Sequence, residues 1–129
     1  MTFALTAPYA AVLTLILVAL THLVIRARGK TTIPLGDRGD DRLLEACRRQ
    51  MNFVENVPMA LILMVLAEAG GASALVMNIA GIVLVLARLV HPFGITATQT
   101  AHPLRIAASV TTTLVQLGLA VVLLMQYFA

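Results

Sequence analysis

The chain has 129 residues, room for one domain, and 60% of them are hydrophobic against roughly 45–50% in a typical soluble domain. Only 12% are charged, too few to cover so small a soluble globule, and the same balance excludes disorder. A lone cysteine excludes an internal disulfide framework and a cysteine-built zinc site, and the net charge of +3 is distributed as in a membrane protein rather than a nucleic-acid binder.

A spanning helix needs about 20 mostly apolar residues. The first such segment is 6–26. No basic n-region precedes it and basic residues follow it, so it reads as a retained first helix rather than a signal peptide. The second is 42–69, and it ends at Gly70-Gly71-Ala72-Ser73, a natural break in a tract too long for one span. The third is 73–92 and the fourth 104–127. The expected fold is all-α: an integral membrane four-helix bundle, one domain over 1–129.

Charge sets the expected orientation. Seven of the nine Lys and Arg residues lie between Arg26 and Arg49, and Arg88 and Arg105 flank the third connection. Positive loops stay in the cytoplasm. Loops 27–41 and 93–103 are then inside and both termini outside.

The second helix is too long for a hydrocarbon layer of about 30 Å, so its start projects past the apolar layer on the basic side. There Arg48, Asn52 and Glu55 follow an i, i+4, i+7 pattern and share one stripe. Ionisable groups inside a membrane are costly and face the bundle interior or a wet cavity. One reading is a polar clasp between helices; the other is a binding site. Pro58, one turn on, removes a helix hydrogen bond to Val54. A second stripe, Arg105, Ser109, Thr112 and Gln116, runs down the fourth helix and should face other helices. The third helix ends with Arg88 and His91 about one turn apart. His22, His91 and His102 have no metal-ligand spacing, so no metal is expected. Cys47, beside Arg48 and Arg49, is better read as a small packing residue than as a nucleophile.

Arg48, Arg88 and Arg105 thus approach one cytoplasmic level from three helices, with Asn52 and Glu55 just beneath. Guanidinium groups suit carboxylates, and a carboxylate suits an ammonium. The set fits a small zwitterion with more than one carboxylate, brought beside a lipid-soluble partner.

The stretch Arg48-Arg-Gln-Met-Asn52-Phe-Val-Glu55-Asn-Val-Pro58 resembles the signature of the MAPEG family, the membrane-associated proteins of eicosanoid and glutathione metabolism. Ala87-Arg-Leu-Val-His91-Pro-Phe-Gly94 is similar to that family's third-helix ending, most like bacterial members. The resemblance implies a homotrimer with glutathione bound between subunits near the cytosolic face, in a bacterial inner membrane. It implies that Arg48, Asn52 and Glu55 contact glutathione, with Arg88 and His91 orienting it or supporting Arg105. Arg105 is the counterpart of the arginine that activates the thiol in some members. Tyrosines that line the site in many members are absent, the only two here being Tyr9 and Tyr127. The implied activity is a glutathione-dependent transferase or peroxidase acting on lipophilic electrophiles. The alternative is a non-enzymatic membrane module that binds lipid or glutathione.

Overall fold

The computed structural model describes residues 3–99 and 101–128. Its helices are α1 (Ala7–Arg28), α2 (Asp41–Ala69), α3 (Ala74–Val90) and α4 (Pro103–Phe128), with a 3-10 turn at His91–Gly94 after α3. Every boundary falls within two residues of the sequence expectation, α3 tightening into the 3-10 turn at His91. All four are long and apolar enough to cross a membrane. No strand occurs among the described residues.

The helix starts and stops follow local chemistry. The Asp40 carboxylate accepts from the Leu43 N–H at 2.8 Å and caps α2. The Ser73 hydroxyl does the same for the Val76 N–H of α3. At the end of α2 the Ala72 N–H reaches back to the Ala67 carbonyl and the Gly71 N–H to that of Glu68. This paired closure needs a left-handed residue, and Gly71 supplies it at φ +86°. Pro58 does not interrupt α2, which runs on to Ala69. The Val54 carbonyl therefore lacks its usual helical donor.

Round the bundle the order is α1, α2, α4, α3, with α2 and α3 also touching across the middle. Of the buried positions on α2, Phe53, Val57, Ala60, Met64 and Ala67 belong to the central core. They repeat at i, i+4, i+7, i+11 and i+14, a narrow seam of the coiled-coil kind. Leu13 and Leu20 of α1, Met77 and Leu84 of α3 and Leu119 of α4 close on it. The seam is narrow because lipid is as apolar as leucine, so nothing drives the outer faces inward. Leu15, Leu75, Ile79 and Leu114 accordingly face outward.

The end of α1, the starts of α2 and α4 and the end of α3 lie at one end of the bundle, and the 70–73 turn, the start of α1 and the end of α4 at the other. The first will be called the loop end, the second the terminal end. At the terminal end Glu68 of α2 accepts from the Leu5 N–H (2.9 Å), the Thr6 N–H (2.9 Å) and the Thr6 hydroxyl (2.6 Å). A carboxylate there also meets the positive end of the α1 dipole. The Gln126 amide donates to the Ala67 carbonyl at 3.0 Å, tying α4 to α2. Tyr9 of α1 lies flat over Gly81 of α3 and its hydroxyl donates to the Asn78 side chain.

Candidate functional site

At the loop end a cleft of about 460 Å³ opens between α2, the start of α4 and the segment after the 3-10 turn. Arg48, Asn52 and Glu55 of α2 line one wall, and Arg105 of α4 approaches from the other. The helical stripe expected on α2 is therefore a cleft wall. Arg48 and Glu55 are exposed, while Asn52 and Arg105 are half-buried.

Arg88 and His91 stand behind this wall, and neither lines the cleft. Arg88 is 1% exposed and His91 2%. The Arg88 guanidinium donates to Asn52 Oδ1 at 3.0 Å and to the Ala108 carbonyl of α4 at 3.2 Å. This contact decides what Asn52 offers. With its Oδ1 committed to Arg88, the amide presents N–H donors to the cleft, which suit a carboxylate or carbonyl. Arg88 thus supports Asn52 rather than Arg105. His91 Nε2 pairs with the Ser109 hydroxyl at 3.1 Å and locks the 3-10 turn to α4.

The α4 stripe does face other helices. Gln116 donates to the Asn56 carbonyl of α2 at 2.9 Å. Thr112 is buried and bonds back to Ala108 within its own helix, at 2.9 Å. Gly94 lets the 3-10 turn lie against the backbone of Arg105, where a Cβ would collide with the Arg105 main chain. That close approach fixes the start of α4 and with it the origin of the Arg105 side chain.

The sequence reading missed Glu45 and Arg49. Glu45 lines the cleft. Its carboxylate accepts from the Ala97 N–H at 2.8 Å and pairs with Arg49 at 3.0 Å. Arg49 in turn donates to the Ile95 carbonyl at 2.8 Å. The two side chains clamp segment 95–97, the roof of the cleft, onto α2. The signal was present: Glu45 precedes Arg48 by three residues and so shares its face, and Glu45–Arg49 is an i, i+4 pair of favourable orientation.

Cys47 lies outside the cleft lining, half-buried, with Sγ 3.8 Å from a guanidinium nitrogen of Arg28. Tyr9 bonds at the terminal end, and Tyr127 is exposed near the end of α4. Neither tyrosine reaches the site.

The cleft therefore presents two guanidinium groups, an amide donor pair and two carboxylates, Glu55 and the already paired Glu45, next to helices that face lipid. Comparison with known proteins places the chain in a family. The profile of the MAPEG family matches residues 6–125. Two curated relatives, each named inner membrane protein YecN, come from Escherichia coli strain K12 and from strain O6:H1. Each is 37% identical over 86 residues, which is 67% of this chain and 66% of the relative's length. The four apolar helices and the profile match together make this an integral membrane protein, and the chain belongs to the MAPEG family.

Proposed function

We propose that the protein is a membrane-bound glutathione-dependent transferase or peroxidase acting on lipophilic electrophiles. What carries the reading is the convergence of Arg48, Asn52 and Glu55 from α2 with Arg105 from α4 on one cleft. The donor set suits glutathione, which has two carboxylates, an ammonium, amide carbonyls and a thiol. The cleft volume of about 460 Å³ lies in the range of small-molecule sites.

Each side chain then has a task. Arg48 holds a glutathione carboxylate by charge-assisted hydrogen bonds. Asn52, oriented by Arg88, donates from its amide nitrogen to a carbonyl or carboxylate. Glu55 pairs with the ammonium. When bound, glutathione supplies a thiol that reacts as its thiolate. Arg105 lowers the thiol's pKa, because an adjacent cation favours the anion. Glu45 and Arg49 hold the roof segment over the cleft.

Oligomerisation is part of the proposal. Arg48, Met51, Val54 and Glu55 lie on an outward side of α2 and are exposed in the protomer. A carboxylate facing lipid is costly, so Glu55 needs cover from protein or a wet site. A homotrimer that shares the cleft between subunits supplies that cover, with the stoichiometry taken from the family resemblance. The orientation proposed is both termini outside and the cleft facing the cytoplasm, from the basic loops. An inner membrane location accords with the printed name of the relatives.

A non-enzymatic module that binds glutathione or lipid is the second reading. It is favoured by how many site-level polar groups couple helices, as Arg88–Asn52, His91–Ser109 and Gln116–Asn56 do. Conjugation of a generic aryl halide by the purified protein, with and without glutathione, separates the two. Glutathione-dependent product formation above the uncatalysed rate supports the enzyme. Glutathione binding without turnover supports the module, and the absence of both overturns the proposal.

A further inference from the structure

A second cleft, of about 410 Å³, lies between α1 and α2 at the loop end, on the side of α2 away from Asn52 and Glu55. Its two walls are short helical stripes. On the α1 side they are Leu23, Arg26 and Ala27, with Lys30 just past the helix end. On the α2 side they are Arg42, Ala46 and Arg49. The spacings i, i+3, i+4, i+7 and i, i+4, i+7 put each set on one face.

The charges in this cleft are unbalanced. Arg26, Lys30 and Arg42 are exposed, and none has a hydrogen-bond or ion-pair partner among the described residues. Arg49 is already paired with Glu45. The one carboxylate present, Asp40, is committed to capping α2 through the Leu43 N–H. Three free cations facing one another repel, and an anion seated among them relieves that repulsion. The cleft also sits where α1 passes from lipid-facing Leu23 to the basic loop. The exposed residues Val12 and Ala19, at i, i+7, i+11 spacing with Leu23, continue this apolar surface along α1.

We propose that this cleft binds the phosphate headgroup of an anionic phospholipid, with an acyl chain following the outer face of α1. Basic pockets between membrane helices at the cytoplasmic level are suited to such headgroups. The combination of a cationic cup and a contiguous apolar track selects a lipid over a free phosphate ion. The inference uses no residue to which the proposed catalytic cleft assigns a ligand contact, so the two stand or fall separately.

The test is native mass spectrometry of the full protein in neutral detergent, with phosphatidylglycerol or phosphatidylcholine of identical acyl chains added. Phosphatidylglycerol is expected to be retained preferentially. The Arg26→Gln, Lys30→Gln, Arg42→Gln triple variant should lose that preference, at roughly fivefold in retention for each cation removed. Arg42→Gln alone covers the case in which the triple variant misfolds, and should lose roughly fivefold. Arg38→Gln, which removes a loop charge outside the cleft, should keep the preference. Equal retention of the two lipids overturns the proposal, as does an unchanged preference in the triple variant or an equal loss in Arg38→Gln. Displacement of phosphatidylglycerol by inorganic phosphate at matched concentration also overturns it, because the site would then read phosphate and not lipid.

Discussion

The two ends of the bundle treat the same chemistry in opposite ways. At the terminal end Glu68 is held by three donors from the segment before α1, so its carboxylate joins α2 to α1. At the loop end Glu55 of the same helix is exposed and lines a cleft with Arg48 and Arg105. The first carboxylate is used up inside the protomer and stabilises it. The second is left for something outside the protomer. A polar residue in a membrane helix is therefore not by itself a site; what marks a site is convergence from separate helices onto accessible space.

Arg88 tests where the boundary between these roles lies, and its removal should have the largest effect. Arg88→Ala takes a large side chain from a fully buried position and orphans Asn52 Oδ1, while the Ala108 carbonyl keeps the Thr112 hydroxyl. A loss of about 2–5 kcal/mol is expected for so large a buried truncation. Thermal unfolding in detergent should report it, and glutathione affinity should fall with it because Asn52 loses its orientation. Arg48→Ala should act on binding alone. Loss of one charge-assisted contact costs roughly 1.5–3 kcal/mol, or about ten- to hundredfold in glutathione affinity by calorimetry. The unfolding midpoint should stay near wild type.

Glu68→Gln sharpens the contrast from the other end. It should lower the unfolding midpoint, by less than Arg88→Ala, and leave glutathione affinity unchanged. The smallest effect is expected from Glu45→Ala. Its ion pair with Arg49 is partly exposed, and such pairs are worth about 0.2–1 kcal/mol. Its signature should be faster hydrogen exchange at the Ala97 N–H rather than a large change in stability.

The helices were readable from hydropathy because bilayer thickness dictates their length, and Gly70-Gly71 told where one tract becomes two. The α2 wall was readable because Arg48, Asn52 and Glu55 follow helical spacing. The role of Arg88 was not. Its place at the end of α3 gives its level along the bundle, but only packing against α4 turns it inward to Asn52 and Ala108. Glu45 was overlooked for the converse reason. It lies on the readable face, but its function depends on the Ala97 N–H, a main-chain group 52 residues away that no side-chain pattern announces. Gly94 belongs with these, since its need for a missing Cβ arises from the tertiary approach of Arg105.

The central claim is that the loop-end cleft binds glutathione and that Arg105 holds its sulfur as thiolate. The most direct measurement is the ultraviolet absorbance of the thiolate as glutathione is titrated at neutral pH into wild-type protein and into Arg105→Ala. The account predicts a saturable thiolate signal in the wild type. In Arg105→Ala that signal should fall at neutral pH, with glutathione affinity close to wild type and the oligomer intact. A full thiolate signal and full conjugation rate in Arg105→Ala, or no glutathione binding by the wild-type protein, would contradict it.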